Sequence, residues 1–137
     1  MRYLVSFLVF LLVVGCVDPD RACKEFFGDE EFMGRLFALG EYEVEFEQIC
    51  DDRAFRSFPM LKLSDEIPAS CSHVCPDEFV EYFVSTAAAA RAEEAFCTWG
   101  YPEFLGVNKE RVDRSVSRLA SATNELESCI DGYVVDE

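Results

Sequence analysis

Seven cysteines and a single histidine are the residues of this 137-residue chain best equipped for chemistry. Cys71-Ser72-His73-Val74-Cys75 sets the only imidazole between two thiols. Thiolates and imidazoles ligate zinc, and a cysteine beside a histidine makes a nucleophile. Both chemistries require thiols that are not otherwise engaged. Structural zinc sites also draw on two clusters of paired ligands, and no second Cys/His cluster occurs in the chain. No metal, cofactor or catalytic residue is therefore expected. Cys23, Cys50, Cys71, Cys75, Cys97 and Cys129 instead make an even set, which in an exported domain reads as three disulfides. Six cysteines allow fifteen connectivities, and spacing does not choose among them.

An export route is written at the N-terminus. Arg2 is followed by Leu4 to Val14, eleven residues that are large and apolar except for Ser6. That is the length of a signal-peptide core, while a membrane-spanning helix needs about 20 residues. Small residues follow at Gly15 and Cys16. The expected organisation is a signal peptide over 1–16 and one helical six-cysteine domain over 17–137, secreted and not transmembrane. Val13-Val14-Gly15-Cys16 also resembles the lipobox of bacterial lipoproteins, with valine where leucine is usual. It offers Cys16 as an alternative lipid anchor. The C-terminal stretch Asp131 to Glu137 is too polar for a GPI signal.

Charge narrows the partners. The chain carries 12 Lys and Arg against 27 Asp and Glu, a net −15. Removing residues 1–16 takes away only Arg2, leaving 11 − 27 = −16. Such a surface is unsuited to nucleic-acid backbones or anionic membranes, and suited to cationic partners. Motifs for catalysis are missing: there is no Gly-x-Ser-x-Gly elbow, no phosphate-cradling glycine loop and no His-Glu-x-x-His. The chain reads as a non-enzyme.

The elements that must position these residues read as helices. Phe26, Phe27, Met33, Leu36 and Phe37 recur at helical spacing over 24–39, with Gly40 as a stop. Residues 41–49 fit either a strand or a helix, and their glutamates favour helix. Asp51 and Asp52 open a short helix that Pro59 ends, and Ser64-Asp65-Glu66 opens another that Pro68 breaks. Pro76-Asp77-Glu78 starts the strongest helix, which runs to about Cys97. Asn108 N-caps a last helix with an apolar seam at Val112, Val116, Leu119, Thr123, Leu126 and Ile130, closed by Gly132. The expected fold is all-α, a small disulfide-stapled bundle of four to five helices.

Eleven of the thirteen phenylalanines fall in the 17–137 domain, many for its size. They fill a core, or they line a cavity that disulfides hold open. The candidate lining residues are Phe26, Met33, Leu36, Phe37 and Met60 in the first half, and Phe79, Phe83, Val112, Val116 and Leu119 in the second.

The cysteines are spaced C-x26-C-x20-C-x3-C-x21-C-x31-C. This order resembles the elicitins and elicitin-like proteins of oomycetes, which are exported, all-helical and crosslinked by three disulfides. Phe46 before the second cysteine, Asp52 and Phe58-Pro59-Met60-Leu61 after it, and a helix carrying the last cysteine agree with the resemblance. The third and fourth cysteines stand one residue closer than in the family, and Ile67 replaces the tyrosine that helps hold a sterol there. Insect odorant-binding proteins also have six cysteines, with the close pair second and third. The elicitin resemblance implies the pairing Cys23–Cys97, Cys50–Cys75 and Cys71–Cys129. It also implies a carrier of a sterol or fatty-acid-like lipid. The alternative reading is an interaction protein with a full core, secreted or anchored through Cys16, that binds a cationic partner through its acidic surface.

Overall fold

A computed structural model describes residues 18–41, 50, 57–98 and 105–135. Among the described residues five α-helices are delimited: α1 Pro19–Phe27, α2 Glu30–Glu41, α3 Ser57–Glu66, α4 Pro76–Thr98 and α5 Leu105–Val135. A single 3-10 turn, Ala69–Cys71, joins α3 to the approach of α4. The fold is the expected small, disulfide-stapled, all-α bundle.

The single helix expected over 24–39 is two helices. Asp18 accepts from the Asp20 N–H at 3.1 Å and caps α1, with Pro19 in the first turn, where no N–H is needed. Gly28 closes α1, its N–H donating to the Lys24 carbonyl at 2.9 Å. Asp29 then accepts from the Glu31 N–H at 3.0 Å, and its carbonyl receives the Met33 N–H. The chain thus turns between consecutive stop and start residues, and α2 folds back across the rest of the bundle. Gly28 is a boundary here, not a weak point inside a helix.

Other boundaries shift for similar reasons. Pro59 lies in the first turn of α3, where a proline costs no intrahelical hydrogen bond, so it does not end a helix. Ser64, Asp65 and Glu66 end that helix, with Ser64 Oγ donating to the Leu61 carbonyl at 2.8 Å. The last helix begins at Leu105, ahead of Asn108, and passes through Gly132 to Val135. α4 matches its expected span. The readings for 1–16, for 42–49 and for Asp51 and Asp52 fall outside the described residues.

α4 and α5 form an antiparallel pair that organises the molecule. The start of α4 meets the end of α5 through Cys75–Cys129, and Glu81 meets Arg118 further along. At the other end, Ala92 and Phe96 pack against Val112. The predicted seam on α5 is the buried face: Val112, Leu119, Thr123, Leu126 and Ile130 are buried and Val116 half-buried. α2 lies across this pair. Its Gly40 meets α5 so closely that an added Cβ would stand 2.9 Å from Thr123 Cβ and closer still to Oγ1. Tyr82 on α4, fully buried, donates its hydroxyl to the Leu36 carbonyl of α2.

The three disulfides exist, but their partners differ from those the elicitin resemblance implies. They are Cys23–Cys71, Cys50–Cys97 and Cys75–Cys129. Helix length explains the difference. Cys75 and Cys97 are 22 residues apart along α4 (97 − 75), about 33 Å, while bridged Cα atoms lie within about 7 Å. α1 packs on the 3-10 turn and the end of α5, so Cys23 is near Cys71 and far from Cys97. Cys129, on the last turns of α5, comes down beside Cys75. Cys75 itself holds a φ of 47°, in the left-handed region that non-glycine residues seldom occupy, and its carbonyl accepts the Phe79 N–H at the head of α4.

Candidate functional site

Eight of the ten candidate lining residues gather in one place. Met33, Leu36, Phe79 and Leu119 are buried in the main core, and Phe26, Phe37, Met60 and Phe83 pack half-buried against it. Val112 and Val116 belong to a second, smaller cluster with Ala92, Phe96 and the Cys50–Cys97 bridge. The rings touch in sequence: Phe26 lies 4.6 Å from Phe32 and 5.2 Å from Phe27. Phe27 lies 5.6 Å from Phe79, and Phe79 6.0 Å from Phe83. Those separations are direct aromatic contact. These side chains fill space with one another.

Sequence reasoning passed over several interior groups. Tyr82, Ser85, Thr86 and Glu93 on α4 are all buried, as is Thr123 of the expected α5 seam. Thr86 and Thr123 return their hydroxyls to the carbonyls of Tyr82 and Leu119, four residues back, at 2.8 and 2.7 Å. This back-bonding satisfies a hydroxyl without a tertiary partner. The signal for these residues is their register on α4 and α5, in phase with apolar neighbours.

Two polar sites lie at the surface. In the first, Tyr133 donates its hydroxyl to Asp20 Oδ1, and His73 Nε2 stands 3.7 Å from the same oxygen. His73 Nδ1 lies 3.0 Å from the Ser70 carbonyl, and Lys24 Nζ is 5.7 Å from the Tyr133 ring centroid. The Tyr133 hydrogen bond, with Lys24 and His73 nearby, holds the Asp20 carboxyl below the usual range. Burial, and then Asp20 itself, push the Tyr133 phenol up to about 12. The cluster ties α1, the loop before α4 and the end of α5 together. His73 serves this contact, away from the sulfurs on either side of it.

The second site is an open groove of about 600 Å³ between the head of α4 and the C-terminal half of α5. Glu78 and Glu125 stand in it with Ser121, Asn124, Ser128 and Cys129. Glu125 accepts from Ser121 Oγ at 3.3 Å. Cys75, Glu78 and Cys129 lie close enough to share a metal ion, but the two sulfurs are bonded to each other, which leaves Glu78 as the one ligand of the three.

No family model, curated protein or solved structure matches this chain.

Its chemistry therefore rests on its own groups. Four of the six arginines among the described residues are paired with carboxylates. Arg35 clasps Glu66 with two hydrogen bonds, of 2.9 and 2.7 Å, and Arg118 pairs with Glu81 at 2.8 Å. Arg21 pairs with Glu25 and Arg114 with Glu110, each four residues apart on one helix. Arg35 holds the Glu66 carboxyl below its ordinary range. Glu78 and Glu125 have no such cation among the described residues. The groove is thus rich in acceptors: two carboxylates, two hydroxyls and an amide. Among the described residues, no helix is long and apolar enough to cross a membrane.

Proposed function

We propose that this chain is an exported, non-enzymatic binding protein whose acidic surface engages a cationic protein partner. The observation that supports this most is the groove carrying Glu78 and Glu125, while four of the six described arginines are tied to other carboxylates. A lysine or arginine side chain of a partner would find there two negative charges and neutral acceptors for its remaining N–H groups. The three disulfides are compatible with work outside the cell. Retention through a lipidated Cys16 is the anchored form of the same proposal, and mass analysis of the mature N-terminus distinguishes it.

Titration calorimetry of the oxidised chain with an arginine-rich peptide tests the reading. Binding is expected to weaken more than tenfold between about 0.05 and 0.5 M NaCl, because exposed charges are screened over that range. Glu78→Gln with Glu125→Gln should remove most of it. Undiminished binding by the double variant, or affinity indifferent to salt, would refute the proposal.

The second reading is a carrier of a sterol or fatty-acid-like lipid, as in elicitin-like proteins. It draws support from Phe26, Phe37, Met60 and Phe83, which are half-buried at the margin of the core, where parting rings would admit an apolar molecule. Displacement of a fluorescent fatty acid or sterol is its test, and the lack of saturable displacement would end it.

A further inference from the structure

Helix α4 is apolar on its outer side as well as its inner one. Tyr82, Thr86, Ala89, Ala90 and Glu93 face the bundle, while Val80 and Val84 on the far side are 63% and 49% exposed. Ala87 and Ala88 beside them are half-buried. A surface helix normally keeps one polar side, and a helix apolar all round is normally covered all round. The outer residues follow a seam: Asp77, Val80, Val84, Ala87 and Arg91 are separated by 3, 4, 3 and 4 positions, the spacing by which two helices pack along their length.

The two ends of that seam carry opposite charges. Asp77 and Arg91 are exposed, and neither has an ion-pair partner among the described residues. Each stands seven positions from Val84 (84 − 77 = 7 and 91 − 84 = 7). The face is therefore complementary to its own reverse.

We infer that the outer face of α4 pairs with the same face of a second copy of the chain, antiparallel, about a twofold axis at Val84. On that axis the Val84 side chains meet. Val80 lies level with the second copy's Ala88, since 80 + 88 = 2 × 84. Asp77 lies level with the second copy's Arg91, about 10.5 Å from the axis at 1.5 Å per residue. Such an interface is isologous and closes as a dimer. The small Ala87 and Ala88 let the helices approach near the short end of the usual 8–10 Å. Parallel pairing would set Asp77 against Asp77 and Arg91 against Arg91. A partner of uniform charge would be repelled at one end of the seam. The inference goes beyond the proposed cationic partner and uses a different side of α4 from the one that carries Glu78.

The two behave oppositely with salt. Copies with a net charge of −15 repel at long range, and salt screens that repulsion. Dimerisation should thus strengthen with NaCl where peptide binding in the groove weakens. Sedimentation equilibrium of the oxidised full chain, loaded between about 10 μM and 1 mM, is the test. A monomer–dimer equilibrium is expected, tighter at about 0.5 M than at 0.05 M NaCl. Val84→Asp, at a position already facing water, should abolish the dimer by placing two carboxylates on the axis. Arg91→Asp should weaken it by about tenfold, because the twofold axis breaks the exposed ion pair with Asp77 at both ends of the seam. Asp77→Arg combined with Arg91→Asp should return the affinity to within about threefold of the parent. A monomer throughout the range, a dimer indifferent to Val84→Asp, or a double reversal no better than the single would overturn the inference. Should Val84→Asp fail to fold, the charge reversals decide alone.

Discussion

At one end of the α4–α5 pair, α1, α2 and α3 pack against it and the 3-10 turn packs on α1, and the disulfides Cys23–Cys71 and Cys75–Cys129 cross that packing. At the other end, among the described residues, Ala92, Phe96 and Val112 meet beside Val116 and Cys50–Cys97. Among the described residues, the thick end buries Phe27, Phe32, Leu36, Tyr82, Leu119, Leu126 and Ile130, and the thin end buries Phe96 and Val112. Yet the three bridges span nearly equal stretches, 48, 47 and 54 residues, so they restrict the unfolded chain almost equally. The difference lies in the folded state. Among the described residues, the thick end has the larger packed core to fall back on when a crosslink is cut.

Cutting the crosslink at the thin end is the most direct way to break this comparison. Cys50→Ser with Cys97→Ser is expected to cost about 4 kcal/mol. Amide exchange should rise first around Ala92, Phe96 and Val112, with the amides of Leu119 to Ile130 still protected. Uniform loss of protection would show that the two ends open as one. Next in size, Leu126→Ala at the thick end should cost about 3–5 kcal/mol, and Val112→Ala at the thin end about 1–2, in denaturant unfolding. Equal costs would remove the distinction.

Gly40→Ala sharpens the picture of how α2 is seated. The new methyl meets Thr123, so a loss of about 2 kcal/mol is expected, most of it recovered when Thr123→Ala is added. Smallest is the pH effect at the thick end. Asp20 has a lowered folded pKa, so its contribution is present above the unfolded value near 3.8 and is lost as pH falls through the lowered one. Tyr133 is raised to about 12, so its contribution is whole below pH 10 and disappears between 10 and about 12. Unfolding midpoints of Asp20→Asn across both ranges should lack the acid limb, and Tyr133→Phe should lack the alkaline one.

Much of the bundle was legible in residue order. The seam from Val112 to Ile130 repeats at three and four, and Pro76-Asp77-Glu78 marks the head of α4 by both backbone and charge. The break at Gly28-Asp29 was not, because a glycine followed by an acid reads equally as a weak helix interior and as a stop beside a cap. Disulfide partners were illegible for a different reason. Periodicity tells which side of a helix is buried, but not against which end of α4 the first helix comes to rest. The ring residues were legible as interior. The buried Tyr82, Thr86 and Glu93 were not, since α4 is apolar on two sides and its inward direction is fixed by the helices that pack on it. The groove lacked any signal, because Glu78 and Glu125 are 47 positions apart (125 − 78) and meet only through the antiparallel pairing.

The hydrogen bond from Tyr133 to Asp20 brings the first and last helices to one corner. A surface linkage attached beside Asp20 or Tyr133 would sit at that corner. Immobilised by it, the molecule would stand with the Cys50–Cys97 tip pointing away from the support, some ~30 Å out along α4.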